Sequence, residues 1–133
     1  MPLITFDAKT QYAFAIMRDL ATHHPRRQTL PAIAERNNLP VKFLPQVLSH
    51  LGQAGLVNTI RGYGGGVELA KEPTAINMLD ILMALGSVRP NDLTDDYPDA
   101  LIAGTLRRAN IRAQNTFANV TLHEIAQQPL QSE

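Results

Sequence analysis

The chain has 133 residues, 44% of them hydrophobic, and its 12 Lys and Arg residues are balanced by 12 Asp and Glu residues. This composition predicts one compact domain, with room for a small additional element. The sequence contains no cysteine, which excludes disulfides, thiolate metal sites and cysteine-ligated iron–sulfur clusters. It also contains no apolar run of membrane-spanning length and no secretory signal, so we expect a cytoplasmic protein without a membrane partner.

The first predicted helix runs from Ala8 to about His23, and Asp7 is suited to cap its N-terminus. Its apolar residues recur at helical spacing and predict one buried face, made of Ala8, Tyr12, Ala13, Ile16, Met17, Leu20 and Ala21. The next residues, 23–28, include a proline and paired arginines and are predicted to form a loop.

A short second helix is predicted after Thr29, whose side chain can cap it. Pro31 fits the first turn of this helix, because the N–H that proline lacks is not needed there. Asn37 and Asn38 suit its left-handed end. A three-residue turn, 38–40, then leads to a third helix, and this order is typical of a helix-turn-helix.

The third helix is predicted over residues 41–54, with Gly55 closing it. Its apolar stripe predicts that Phe43, Leu44, Val47, Leu48 and Leu51 are buried. Its exposed side carries Lys42, Gln46, Ser49, His50 and Gln53. Pro45 is tolerated only near a helix start, so we expect the regular helix to begin near Lys42 or Phe43.

Two short apolar runs, 56–60 and 67–70, predict a β-hairpin directly after the third helix. Its tip contains Arg61, Tyr63 and four glycines, namely Gly62, Gly64, Gly65 and Gly66. Glycines permit positive φ angles and close backbone approach, so this tip can press a cation against another surface. A helix-turn-helix followed by such a hairpin predicts a winged helix.

The third helix and the hairpin tip together favour DNA as the ligand. Base edges are read by paired donors and acceptors, and Gln46 is the best candidate because its amide can pair bidentately with adenine. The charge distribution agrees weakly: residues 1–73 hold eight Lys and Arg against five acids, about +3, and residues 74–133 carry the balancing negative charge. A merely solvated polar face is the alternative for the helix, and an ordinary surface charge is the alternative for Arg61.

The remaining chain predicts three more helices. Residues 76–85 are apolar on nearly every side, so this fourth helix must be covered on two faces. A long helix is predicted to start at Pro98, and Thr121 fits a capping box for a short terminal helix. The long helix has an apolar stripe that we interpret as a dimerisation seam, with packing inside one subunit as the alternative: Ile102, Leu106, Ala109, Ala113 and Phe117.

Residues 87–99 form an acidic loop between the fourth and the long helix. Its four aspartates are Asp92, Asp95, Asp96 and Asp99. Their spacing lacks the glycine and the terminal glutamate of an EF-hand, so we favour a solvated loop over a metal site. Asp96 and Asp99 also suit the positive N-terminus of the next helix. His23 and His24 are likewise interpreted as surface residues and not as metal ligands.

Four stretches of the sequence resemble the Rrf family of bacterial regulators: Phe6-Asp7-x-Lys9-x-x-Tyr12-Ala13, Ile33-Ala34-Glu35-Arg36, Phe43-Leu44-x-Gln46-Val47-Leu48 and Arg61-Gly62-x-Gly64-Gly65-Gly66. The resemblance implies a dimer that binds a palindromic operator, with Arg61 in the minor groove and Gln46 in the major groove. A narrow minor groove has enhanced negative potential, which attracts arginine. The DNA-binding residues that we assign are Lys9, Tyr12, Thr29, Lys42, Gln46, Ser49, His50, Arg61, Gly62, Tyr63 and Gly64.

The chain departs from the family pattern at two places. Many iron–sulfur members have a glutamate where this chain has Pro45, so its operator is expected to differ from theirs. Members that sense through an iron–sulfur cluster place three cysteines in the span 87–99, and this chain has none. It resembles the cysteine-free branch and is expected to use no cofactor. A small-molecule effector, a regulatory protein partner or constitutive repression would take the place of the cluster.

The sequence thus predicts a mainly α fold with a small β-hairpin, in which a winged helix-turn-helix is followed by a long C-terminal dimerisation helix. Residues 1–86 would form the DNA-binding domain, and residues 87–133 would form the acidic loop, dimerisation helix and terminal helix. The predicted function is that of a dimeric, sequence-specific transcription regulator, a repressor, bound to double-stranded DNA. The alternative is a winged-helix module that docks a partner protein. An enzyme is not predicted, because the sequence shows none of the groups that catalysis needs at suitable spacing: a nucleophile–base pair, a metal triad or a carboxylate pair.

Overall fold

The computed structural model describes residues 1–87 and 97–128. Its elements, in chain order, are α1 (Ala8–His23), α2 (Leu30–Asn37), α3 (Leu44–Gln53), β1 (Val57–Ile60), β2 (Gly66–Leu69), α4 (Met78–Ala84), α5 (Ala100–Ala118) and α6 (Leu122–Gln127). Single 3₁₀ turns precede α3, at Val41–Phe43, and α4, at Pro73–Ala75. The mainly α fold with one small hairpin is confirmed. Within the described ranges, no helix combines the length and the apolar character needed to cross a membrane.

The caps predicted for α1 and α2 are present. Asp7 Oδ1 accepts a hydrogen bond from the Thr10 amide at 2.9 Å. Hydrogen bonding to Thr10, first through its side chain and then through this amide, lowers the pKa of Asp7. Thr29 Oγ1 accepts from the Ala32 amide at 3.3 Å. Asn38 ends α2 in the left-handed conformation, with φ of 53°. These helix boundaries therefore follow from local side-chain chemistry.

The start of the third helix differs from the prediction. Residues 41–43 form a 3₁₀ turn, regular α-helix begins at Leu44, and Pro45 lies in the first turn, where it costs no hydrogen bond. Phe43 was predicted to be buried, and this is wrong: its exposed fraction is 46%. The physical reason is that Phe43 is the N-cap residue, so it falls outside the 3.6-residue period that directs the other members of the stripe into the core.

The hairpin strands pair antiparallel, with Val57 opposite Leu69 and Ile60 opposite Gly66. A third segment joins them, because the Gln28 amide donates to the Val67 carbonyl at 2.9 Å and the Val67 amide donates to the Gln28 carbonyl at 2.8 Å. The segment 23–28, which was predicted to be a loop, therefore ends in a β-bridge between Gln28 and the second hairpin strand. The core below the hairpin is formed chiefly by Ala13, Ile16, Met17, Leu20, Ile33, Leu44, Val47, Leu51, Leu56, Val67 and Ile76.

Helix α4 contacts α1 and α3 of the winged helix on one side and α5 on the other, so it is covered on two faces as predicted. It begins at Met78 and not at Ile76, because Asn77 and Asp80 form a reciprocal capping box. Ile76 instead accepts a backbone hydrogen bond from Leu122 at 2.7 Å, which ties the start of α6 to the segment before α4.

Helix α5 begins at Ala100, so the predicted start at Pro98 is wrong. Asp99 is the N-cap, and its Oδ1 accepts from the amides of Leu101 and Ile102 at 2.8 and 3.2 Å. The Asp99 carboxylate thus accepts hydrogen bonds from two amides, which a proline side chain cannot do. This agrees with the prediction that Asp99 suits the positive N-terminus of this helix. The other aspartates of the acidic loop, Asp92, Asp95 and Asp96, lie outside the described residues.

Candidate nucleic-acid interface

Helix α3 separates its polar and apolar residues sharply. Leu44, Val47, Leu48 and Leu51 are buried in the core. Gln46, Ser49 and Gln53 are exposed and recur at helical spacing, so they share the outer face. His50 is half-buried and is less available to a ligand than its neighbours. The outer face is free of acidic residues, which suits an element that approaches phosphates.

The hairpin tip is shaped by three of its glycines. Gly62 and Gly64 have φ angles of 93° and 76°, which side chains other than glycine adopt at a cost. Gly65 donates its amide to the Gly62 carbonyl at 2.9 Å, and a Cβ atom at residue 65 would lie 2.2 Å from the Ile60 carbonyl oxygen. The tip is therefore a tight backbone loop that holds Arg61 and Tyr63 in solvent.

A groove of about 720 Å³ joins α3 to the first hairpin strand. It is lined by Leu30, Pro45, Leu48, Ser49, Gly52, Gln53, Val57, Asn58, Thr59 and Arg61. The fold thus brings Ser49 of the third helix and Arg61 of the hairpin tip to one surface. Sequence reasoning missed Asn58 and Thr59, although two exposed polar residues inside an apolar strand are a signal that could have identified them.

Arg27 supports the hairpin from the side. Its Nε donates to Glu68 Oε1 at 2.5 Å, and its Nη1 donates to the Gly64 carbonyl at 3.4 Å. The charge of Arg27 is therefore paired, whereas Arg61 and Lys42 form no ion pair in the part of the chain that the structure describes. Within this part, Arg61 and Lys42 are therefore unpaired cations at the hairpin tip and directly before α3.

A buried carboxylate connects the helices behind the interface. Asp19, on α1, accepts hydrogen bonds from Arg36 Nη2 at 2.7 Å, Arg36 Nε at 3.0 Å and Asn37 Nδ2 at 2.8 Å. The same Arg36 also donates to the Gln28 side chain at 2.7 Å, which links this network to the segment that pairs with the hairpin. Because Asp19 holds Arg36, that arginine does not contribute the free phosphate-attracting charge that the sequence count gave it.

The protonation of Asp19 reflects two opposing effects. Burial disfavours its charged form, but the hydrogen bonds from Arg36 and Asn37 and the charges of Arg36 and His23 outweigh burial, so its pKa lies below the ordinary 3.8. The pairing in turn raises the pKa of the Arg36 guanidinium. Sequence reasoning missed this network, although an acid between the buried positions of Ile16 and Leu20 is a signal for it.

The other predicted DNA-binding residues lie at different distances from the groove. Lys42 is exposed just before α3, and the Thr29 hydroxyl is exposed while it caps α2. Lys9 and Tyr12 lie near the N-terminal end of α1, where Thr10 Oγ1 bonds Ser87 Oγ at 2.5 Å. The hairpin pairs with Gln28, which follows the C-terminal end of α1. Helix α1 is about 24 Å long, so its N-terminal end is far from this pairing. The structure therefore does not bring Lys9 and Tyr12 to the groove.

A helix-turn-helix with an exposed polar third helix, joined by one groove to a glycine-tipped basic hairpin, defines a winged-helix DNA-binding protein. The chain belongs to the Rrf2 family, whose model, described as iron-dependent transcriptional regulator, matches residues 6–128. The protein is therefore a DNA-binding transcription regulator, and its relatives are regulators and not enzymes.

Individual relatives support this assignment. The chain is 42% identical to the transcriptional regulator CymR of Bacillus subtilis over 94 residues, which cover 69% of this chain and 68% of CymR. It is 35% identical to IscR of Vibrio cholerae over 79 residues, 59% of this chain and 46% of IscR. The solved structure of CymR, the global cysteine regulator of B. subtilis, superposes with a TM-score of 0.80 at 32% identity, covering 93% of this chain and 97% of that chain.

The family description raises the question of iron. An iron–sulfur cluster is held by cysteine thiolates, and none of the 133 residues is a cysteine, so the chain lacks the required donors. Nor do the residues in ranges 1–87 and 97–128 bring three His, Asp or Glu side chains together as a metal-binding group. His23 and His24 instead contact Asp19 at 3.3 Å and Glu72 at 3.2 Å, respectively. The residues present do not fit the cluster.

Proposed function

We propose that this regulator acts as a cytoplasmic homodimer that binds a palindromic operator and represses transcription. The observation that carries the proposal is the groove that joins Ser49 and Gln53 of α3 to Arg61 of the hairpin tip. Occupation of a promoter by a dimer is sufficient to exclude polymerase, so repression requires only the DNA-binding surface described above. Residues 1–86 would bind DNA, and residues 87–133 would hold the dimer together.

The residues of this surface have complementary roles in the proposal. Gln46 pairs with a base in the major groove, and Arg61 enters the minor groove, carried there by Gly62, Tyr63 and Gly64. Contacts to the phosphate backbone near the groove come from Thr29, Lys42, Ser49 and His50. Lys9 and Tyr12, which lie away from the groove, would contact phosphates only where the duplex extends past it. Phosphate contacts position the protein, and base contacts select the sequence.

The exposed apolar residues of helix α5 are the argument for a dimer. It packs on its own subunit mainly through α4, and Ala103 is its one buried residue among those described. Leu101 and Ile102 are 74% and 51% exposed, and Ile111 is exposed as well. Exposed apolar side chains are stabilised when a second copy covers them, and Ile102 belongs to the predicted seam. Sequence reasoning did not single out Leu101 and Ile111, because both lie away from that seam, Ile111 on the opposite side of the helix.

The two ends of the predicted seam are not equivalent. Phe117 packs against Phe6 of its own subunit, with ring centroids 6.1 Å apart, and Phe6 also contacts Phe14. The seam from Ile102 through Leu106 and Ala109 to Ala113 is left for the partner in our proposal. A two-fold dimer presents two equivalent reading heads, and this symmetry accounts for a palindromic operator.

The proposal also concerns the signal that would control DNA binding. With no cysteine in the chain, regulation would come from a small-molecule effector or a regulatory protein partner. Constitutive repression is the remaining possibility, and it requires no further site.

We expect Arg61→Ala and Gln46→Ala to weaken DNA binding in different ways. Loss of Arg61 should reduce affinity for every duplex about tenfold and lower the salt dependence, because one phosphate-attracting charge is lost. Loss of Gln46 should remove about 1 to 3 kcal/mol of discrimination at one base pair. Mobility shifts at several salt concentrations, on an operator selected from random duplexes, would measure both effects.

Arg107→Ala is the matched control for this experiment, since it removes the same charge from an exposed position on α5. Equal losses for Arg61→Ala and Arg107→Ala would contradict the role of the hairpin tip. Failure of the wild-type protein to select any duplex would favour the alternative, a module that docks a partner protein.

We expect Ile102→Glu to convert the dimer to a monomer, because it places a charge in an apolar contact between two copies of α5. Sedimentation should show twice the chain mass of 14.6 kDa for the wild type and 14.6 kDa for the variant. Asn115→Glu, at an exposed polar position on the opposite side of the same helix, is the control and should remain dimeric. A monomeric wild-type protein would refute the dimer.

A further inference from the structure

Two large apolar side chains are exposed directly before α3. Val41 is 52% exposed and Phe43 is 46% exposed, although the apolar stripe predicted that Phe43 would be in the core. Contiguous apolar groups on a surface mark a contact site, and these two belong to one 3₁₀ turn. This turn leads into the helix that provides the proposed base contacts, and this position identifies the kind of partner.

Phe43 is the last residue of the 3₁₀ turn that leads directly into α3. It precedes Gln46 by three positions, and both side chains are exposed, so Phe43 flanks the polar residues of the interface at the N-terminal end of α3. Phe43 is also the N-cap of α3. The N-terminal residues of a recognition helix are the ones that contact base edges.

Lys42 accompanies Phe43 in this position. Its ammonium nitrogen lies 5.8 Å from the centroid of the Phe43 ring, which is within the range of a cation–π contact. The two neighbours therefore offer different chemistry to a DNA duplex. A cation suits a phosphate, whereas an aromatic ring has no hydrogen-bonding group and can contact only apolar surface.

We propose that Phe43, with Val41 beside it, determines specificity by packing against the 5-methyl group of a thymine next to the base that Gln46 contacts. Thymine is the only standard base that presents a methyl group in the major groove, and side chains such as Phe recognise it by apolar contact. This inference rests on the proposed function, since it assigns a partner to residues at the same DNA surface.

The test replaces single thymines of the selected operator by uracil, which lacks the methyl group and keeps the same base pairing. We expect the wild-type protein to lose affinity about fourfold at one position in each half-site, the effect of exposing one methyl-sized group. Phe43→Ala should bind the parent operator more weakly and show no loss with uracil at that position. Gln46→Ala should retain the uracil effect, because it removes a different contact.

Two outcomes would overturn the assignment and leave the proposed function intact. The first is equal binding of every uracil-substituted operator by the wild-type protein, while Arg61→Ala still weakens binding. The second is a monomeric Phe43→Ala variant in sedimentation, which would place this residue in a protein contact.

Folding of Phe43→Ala is checked by its thermal unfolding, and Phe43→Leu, which keeps an apolar side chain, should retain part of the uracil effect. Failure to bind any duplex would instead overturn the proposed function together with this inference.

Discussion

Replacing Asp19 by alanine is expected to lower the free energy of unfolding by about 2 to 3 kcal/mol. Removing one partner of a buried ion pair costs about 3 to 5 kcal/mol, and the value is smaller here because the Arg36 side chain is 38% exposed and water can solvate it. The variant also removes one of the two acceptors of the Asn37 side-chain amide, which keeps its hydrogen bond to the Ile33 carbonyl. Urea unfolding at matched protein concentration would measure the change, which corresponds to about 10 °C in Tm.

Glu35→Ala is the matched control, since Glu35 is an exposed acid on α2. It should change stability by less than about 0.5 kcal/mol. A stability loss for Asp19→Ala no larger than that of Glu35→Ala would contradict the view that this network connects α1, α2 and the segment at Gln28.

The Asp19 contribution should also depend on pH with a definite sign. The pKa of Asp19 is lowered in the folded protein, so its stabilising effect is complete above the ordinary value of 3.8 and is lost as the pH falls through the folded-state pKa. The stability difference between the wild type and Asp19→Asn should therefore be constant near neutral pH and shrink below about pH 4. A difference that grows on acidification would show that another group dominates.

The second large effect is expected for Gly65→Ala. The added Cβ would lie 2.2 Å from the Ile60 carbonyl oxygen and 2.8 Å from the Gly62 carbonyl oxygen. Both neighbours are backbone atoms, so the hairpin tip must open, and Arg61, which follows Ile60 directly, must move with it. We expect DNA affinity to fall at least about tenfold, with a stability loss of about 1 to 3 kcal/mol.

Gly64→Ala distinguishes the steric clash from backbone strain. Gly64 has a φ of 76°, but an added Cβ there would meet no atom within 4 Å. Its cost is limited to about 1 to 2 kcal/mol of conformational strain. DNA binding, measured by fluorescence anisotropy, should fall less for Gly64→Ala than for Gly65→Ala. The opposite order would refute the tightly closed tip.

Many local features could be predicted because the interacting groups are close in sequence. Asp7 and Thr29 cap α1 and α2 through amides three residues away, and Asn38 ends α2 by its own backbone preference. The glycine-rich tip likewise predicted the hairpin between 56 and 70. Three helix starts were misplaced. Hydrogen bonds from specific amides to Asn77 and Asp99 determine where α4 and α5 begin, whereas α3 begins at Leu44 because residues 41–43 form a 3₁₀ turn.

A glycine-tipped hairpin after a helix-turn-helix could be predicted from local sequence, because capping, periodicity and turn formation act over a few residues. Which charges and apolar groups are free depends instead on contacts between distant parts of the chain. Asp19 neutralises Arg36 across 17 positions, Gln28 pairs with Val67 across 39, and Phe43 is excluded from a core that its spacing alone would have placed it in. Such pairings depend on how the elements pack, which local preferences do not specify.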